Sequence, residues 1–316
     1  MSSDIYSRRH KDQRAAQDAD QTESAAILHH NVSADAGLFD DRVAGVVDDE
    51  VLLDVADREA WHSQDLSLDE LVGQNSEEIS RRADIMGEAY PFKFDKGTLK
   101  YTPSKTGFYE FCLATCCAPN ITTGQYTRLP RTFERVVTVL MKGYMGIHAD
   151  ALHVGTPRDV EVGTKFQEAM ATLHKLSGEW RWGPESGLPD VRNNSGDEGV
   201  DFIVWKKSLD KRPGQIFILG QCACGDDWDT KFSDTSLNRY EKWFNPTVIP
   251  EPLRAFATPF HLSDGNLREA QREAGLVFDR ARLTLIAEDL ASDPMMTPWW
   301  TTVEEAKGIV LTGQLN

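Results

Sequence analysis

Two short runs, DFIVWK at residues 201–206 and QIFILGQCA at residues 215–223, narrow the folds open to this chain more than any other feature. Each sets Ile, Val, Phe, Leu or Trp in consecutive positions without helical spacing. Glycine and proline bound both, so they read as strands covered on both faces. Such strands need helices against them. GTKFQEAMATLHKLSG, just upstream, places Phe166, Met170, Leu173 and His174 on one helical face and stops at Gly178. After the second strand, GDDWDTKF is expected to begin a helix at an aspartate cap. Helix, strand, strand, helix predicts an α/β fold with a mixed central sheet flanked by helices.

Upstream, the pattern is different. Residues 1–25 are polar and without apolar periodicity, which predicts a mobile tail or an arm ordered by a partner. Residues 26–152 read as a mainly helical acidic N-terminal domain. Ser76 is expected to cap a helix ending at Gly87, and FKFDKGTLKY alternates around Lys96 and Gly97 as a hairpin. Helices are expected around Phe108 to Cys116 and from Pro130 to Lys142. The third unit, residues 153–316, carries the two strands, a further strand in LRAFATPFHL, a strand or helix in GLVFDRARLTLIAEDL, and a last helix capped by Thr301 or Thr302.

The formal net charge is −16, and residues 31–90 carry most of it: 16 Asp and Glu stand there against Arg42, Arg58, Arg81 and Arg82. Nucleic acid would avoid that block, which is expected to be a solvated acidic face or a dock for a basic protein partner. No apolar stretch approaches the ~20 residues needed to span a bilayer, and the charged first residues lack a signal-peptide core, so a cytoplasmic protein without a membrane partner is expected. Five cysteines are an odd number for a disulfide framework. Cys112, Cys116 and Cys117, and Cys222 and Cys224, form no CxxC pair beside a histidine at finger spacing, so reduced buried thiols are expected rather than zinc.

Candidate chemistry gathers on the helix and two strands. Glu168 lies on the helix, Asp201 opens the first strand and Gln221 is near the end of the second, on the same face as Ala223 and opposite Cys222 and Cys224. Two carboxylates and a side-chain carbonyl are the oxygen ligands a hard cation such as Mg²⁺ takes, and such a cation assists phosphodiester hydrolysis. Over about residues 156 to 235, the run Gly163, Phe166, Glu168, the GVD ending at Asp201 and the GQCA ending at Ala223 resemble the PD-(D/E)xK, restriction-endonuclease-like nucleases. The resemblance implies a restriction-endonuclease-like sheet, with Glu168, Asp201 and Gln221 as catalytic residues holding Mg²⁺ or Mn²⁺. In that family a lysine stands where this chain has Ala223; Lys231, eight residues on, is the expected substitute, while strand alternation turns Lys206 away.

The chain has no GxGxxG, P-loop, GxSxG or HExxH motif. His29 and His30 sit in a polar segment, and Trp180 and Trp182 of EWRW are expected to pack in a core or lid, with base stacking as the alternative. The resemblance therefore implies a Mg²⁺-dependent nuclease, a DNA endonuclease hydrolysing phosphodiesters in bacterial restriction or anti-phage defence. The competing expectation is a nuclease-like subunit that has lost catalysis and serves binding or assembly, for which the missing lysine and the net charge argue. A third is a small-molecule hydrolase using the same acids. A homo-oligomer is open in each case.

Overall fold

The computed structural model describes residues 12–33, 58–183, 198–210, 212–237, 243–244 and 251–311, with side chains from residue 15 in the first segment and from residue 69 in the second. Its frame is a five-stranded sheet in the order β4 (Ala149–His153), β5 (Phe202–Lys206), β6 (Ile216–Cys222), β7 (Leu253–Ala257), β8 (Leu276–Phe278). β4, β5 and β6 pair antiparallel, and β7 and β8 continue parallel to β6. The two apolar runs become adjacent central strands, as expected for an α/β protein. On one face Phe202, Val204 and Ile218 pack against helices α3 (Phe108–Cys117), α4 (Arg128–Met145) and α7 (Arg280–Asp289). On the other, Ile203, Trp205, Phe217 and Leu219 meet Phe166, Met170 and Leu173 of α5 (Phe166–Ser177). Where β5 and β6 cross, Gly220 is required, because a Cβ there would lie 1.9 Å from the Phe202 ring.

A second, three-stranded sheet holds the expected hairpin, β2 (Phe92–Asp95) and β3 (Thr98–Tyr101), with β1 (Asn31–Ser33) added to β3. Lys96 and Gly97 turn it with φ of 50° and 77°, the positive values a two-residue hairpin loop requires.

Several boundaries differ from the sequence reading. The stretch read as a mobile tail contains α1 (Asp12–His29), and residues 1–11 lie outside the described residues. Helix α2 runs over Arg58–Met86, so Ser76 sits inside it rather than at its cap. GDDWDTKF forms only a 3₁₀ turn at Trp228–Thr230, Asp227 accepting no cap bond with its side chain. Helix α6 (Asp264–Ala274), capped by Ser263, lies between β7 and β8, and α8 (Thr297–Leu311) starts one turn before the expected threonines. The expected border at residue 152 falls inside β4, and α4 packs on β4 and β5, so the helices before that border cover the sheet after it. Residues 34–57, which carry eight of the 16 acids of the acidic block, lie outside the described residues.

The α1 helix is polar on the side it buries, which is why no apolar period marks it. Its Asp20 accepts from Arg82 Nη1 and Arg280 Nη1, both at 2.7 Å, and from Arg280 Nη2. Glu23 accepts from Arg82, Tyr90 and Tyr109. Arg82, Arg280 and Glu23 are wholly buried, and Arg280 also lies over the Tyr109 ring. Burial pushes the Glu23 carboxyl above its usual range, with the Arg82 and Arg280 guanidinium groups opposing the rise. Beside this cluster His261 is sealed in, and its Nε2 lies 2.7 Å from Arg81 Nη2. Arginine only donates, so that nitrogen accepts and the ring is neutral. Burial, then the positive charges of Arg82, Arg81 and Arg280, holds its pKa well below the ordinary histidine value.

Candidate active site

The register of the central strands dictates where the acids go. Phe202 pairs with Gly220, so Asp201 and Gln221 are neighbours across the β5–β6 ladder and share a face. The Asp201 amide donates to Gly220 O at 2.8 Å, and its carbonyl accepts from Val154 N at 2.7 Å and Gly155 N at 2.9 Å, fixing it between the strands on either side. Its Oδ2 accepts from Cys222 N at 2.7 Å, which aims the carboxylate.

The second carboxylate comes from a helix the sequence predicts, but from a residue on it, Glu134, that the sequence reading did not single out. Glu134 of α4 faces the end of β4, where His153 Nε2 lies 3.2 Å from Glu134 Oε2. Gly155 makes this approach feasible: a Cβ there would stand 2.8 Å from Asp201 Oδ1, 3.0 Å from Glu134 Oε2 and 3.2 Å from His153 Nε2. Both acids thus converge on one stretch of bare backbone. They line a cavity of about 410 Å³ together with Gln221, Cys222, Lys231 and Asp234.

Gln221 is the most informative side chain here. It is 8% exposed, and its Nε2 donates to Asp234 Oδ2 at 3.3 Å. The carboxylate takes the amide's donor end, leaving Oε1 buried with no hydrogen-bond partner. An orphaned buried carbonyl costs ~1–3 kcal/mol, so the cavity is built with an acceptor that something else must satisfy.

Of the four residues singled out in the sequence, Asp201, Gln221 and Lys231 come to this cavity, and Glu168 is not among the residues lining it. Glu168 sits on the first turn of α5, where its carboxylate accepts from Lys165 N at 3.1 Å as the acid of a capping box. That amide holds its pKa below the usual carboxylate range. The physical reason is local: an acid at the third position of a helix finds the free amides of its own first turn. Lys231 lies at the end of the 3₁₀ turn with Nζ 3.1 Å from Asp227 Oδ1, and it is partly exposed at the cavity edge. Lys206 turns away, as expected, donating to Met145 O. Ala223 is buried among Trp228, Phe232 and Phe256.

The missed residues, Glu134, His153 and Asp234, carry a faint signal. Glu134 lies on the helix immediately before β4, and HVG at 153–155 ends that strand with a glycine.

Among the described residues no three His, Cys, Asp or Glu side chains stand close enough to hold a metal alone. The donor set is instead two carboxylates with the unsatisfied Gln221 carbonyl. That suits a hard cation of the Mg²⁺ type, which takes one or two carboxylates and keeps several waters. Burial and then the charges of Asp201 and Glu134 push the Cys222 thiol well above its ordinary pKa. The other cysteines are also free. Trp180 and Trp182 pack against Phe217, Trp243 and Phe244 in the core. No described helix is long and apolar enough to cross a membrane.

Comparison with known proteins brings no relative to this site: no family model matches the chain, and no curated protein or solved structure is significantly similar to it.

Proposed function

We propose that the Glu134–Asp201–Gln221 cavity is the centre of a Mg²⁺- or Mn²⁺-dependent nuclease that hydrolyses phosphodiester bonds, with DNA as the favoured substrate. The observation that carries this reading is the buried, unpartnered Gln221 Oε1 on the strand beside Asp201, in a cavity that Glu134 also lines. Asp201, Glu134 and the Gln221 carbonyl would hold the cation; Glu134 here takes the part first expected of Glu168. When bound, the cation supplies Lewis-acid charge and an activated water. The chain's own residues do the rest. His153 Nε2 orients Glu134, and the Cys222 amide orients Asp201. The Lys231 ammonium at the rim supplies positive charge for the phosphate oxygens.

The sheet supports the PD-(D/E)xK resemblance through its order, with a helix bearing an acid, then three antiparallel strands, then a parallel one. A role in restriction or anti-phage defence rests on that resemblance alone. A second reading, a binding or assembly module without catalysis, is favoured by one observation: the lysine position is the buried Ala223, and Lys231 is engaged by Asp227.

The test is incubation of the purified chain with labelled DNA in Mg²⁺ or Mn²⁺. Cleavage that chelation stops and that Asp201→Asn and Glu134→Gln each abolish supports the nuclease. Absence of cleavage with both metals on single-stranded, duplex and plasmid DNA moves the reading to the binding module.

A further inference from the structure

Another cavity, of about 590 Å³, lies along the same helix that supplies Glu134. Arg128, Arg131 and Arg135 line it at spacings of three and four residues, which puts them on one face of α4. Trp299 of α8, a half-buried indole that also packs against the apolar core, lines the same cavity. Its neighbour Trp300 is tied down by donating to Ala291 O at 3.1 Å.

The three arginines are unequally engaged. Arg128 is paired with the exposed Glu305, and Arg135 donates to Asp159 Oδ1 at 3.0 Å and to Pro157 O at 3.1 Å. Arg131 is exposed and has no side-chain partner among the described residues. Pro157 follows Thr156, which lines the Glu134–Asp201 cavity, and Glu134 immediately precedes Arg135 on the helix. The arginine groove and the acidic cavity therefore share one helix and one loop at their border. From Arg128 to Glu134 the helix rises only ~9 Å.

We infer that this groove holds an unpaired strand of nucleic acid, its phosphates on Arg131 and the flanking arginines and a base stacked on Trp299, and leads that strand to the Glu134–Asp201 cavity. In a chain of net charge −16, Arg131 supplies on this helix face a positive charge of the kind a polyanion requires, with Arg128 and Arg135 beside it held in ion pairs that a phosphate would have to share. The indole adds what a phosphate site alone lacks. Stacking on an aromatic ring needs a base out of its duplex, and this selects single strands over double helices. This inference rests on the nuclease reading for the direction of the strand, but the groove's binding is independent of cleavage.

The experiment is binding of a fluorescein-labelled twelve-residue oligothymidylate, its ribose counterpart and a twelve-base-pair duplex to the full chain in EDTA at low salt, read by anisotropy and by tryptophan emission. Either single strand is expected to bind at least about tenfold more tightly than the duplex. Arg131→Glu should weaken single-strand binding about tenfold or more and lower the slope of log affinity against log salt by about 0.7, whereas Arg131→Lys should restore most of both. Trp299→Phe should remove the larger part of the emission change. Arg131 is exposed, so circular dichroism should be unchanged in its variants. Binding that favours the duplex, or that is indifferent to Arg131→Glu, overturns the groove. Cleavage that persists beside such indifference would leave the nuclease standing; groove binding without any metal-dependent cleavage would leave the groove and remove the nuclease.

Discussion

The molecule gathers acids in two places and treats them in opposite ways. Around α1, Asp20, Glu23 and Glu78 are met by Arg82 and Arg280 inside the fold, with oxygens and guanidinium groups at 2.7 to 3.0 Å and no room for solvent. In the β5–β6 cavity, Glu134, Asp201 and Asp234 face an open space whose one lining lysine leans on Asp227, and a buried carbonyl lacks a donor. The first group carries its counter-charge within the chain and so serves to fasten α1 and α2 to α7. The second, on the reading proposed above, would receive its counter-charge as a cation from outside. Acid clusters look alike in a sequence; the arginines that reach them from 62 or 260 residues away separate structure from site.

The largest effect expected of this contrast is catalytic. Asp201→Asn should lower metal-dependent cleavage roughly a thousandfold while leaving the urea midpoint within experimental scatter, since the site's acids are not what holds the sheet together. A comparable fall in stability would erase the distinction between the two clusters. Lys231→Ala should cost cleavage about a hundredfold and leave Mn²⁺ affinity unchanged; loss of Mn²⁺ binding in that variant would show that the lysine shapes the site rather than the substrate's charge.

The reciprocal break is structural. Arg82→Met strands Asp20, Glu23 and Glu78 in the core and should destabilise the chain by ~3–5 kcal/mol in urea denaturation, with catalysis per folded molecule preserved. Gly220→Ala, by contrast, forces a methyl into the Phe202 ring and should cost ~1–3 kcal/mol.

The smallest effect is a pH dependence of the buried cluster. His261 is neutral in the fold, with a pKa held below its unfolded value of ~6.5, so its contribution is present above that pH and is lost as pH falls toward its folded pKa. It faces Arg81, Arg82 and Glu78 from α2 and Asp279 and Arg280 from the start of α7. The fall in urea midpoint between pH 7.5 and pH 5.5 should therefore be smaller in His261→Gln than in the parent chain. An equal fall in both would assign the acid sensitivity to other groups.

The central strands were legible because burial on both faces writes itself as uninterrupted Ile, Val, Phe and Trp, and their pairing then placed Asp201 beside Gln221. Glu134 was not legible. In RTFERVVTVLMK an acid on an amphipathic helix looks like any solvated position, and its meaning depends on α4 packing against β4 and on the bare backbone of Gly155. Glu168 misled for the converse reason, since its spacing from Phe166 fits a helix start whose own amides satisfy it. Helix α1 was hidden because the side it buries carries Ala16, Ala19, Asp20 and Glu23 rather than large aliphatic residues.

The central claim is that the β5–β6 cavity receives a hard divalent cation, and titration calorimetry of Mn²⁺ into the full chain tests it without requiring turnover. The account predicts saturable Mn²⁺ binding near one ion per chain, competed by Mg²⁺. Asp201→Asn and Glu134→Gln should each weaken it by about tenfold or more, and Glu168→Gln should leave it unchanged. No saturable binding, or binding lost in Glu168→Gln and kept in Glu134→Gln, would contradict it.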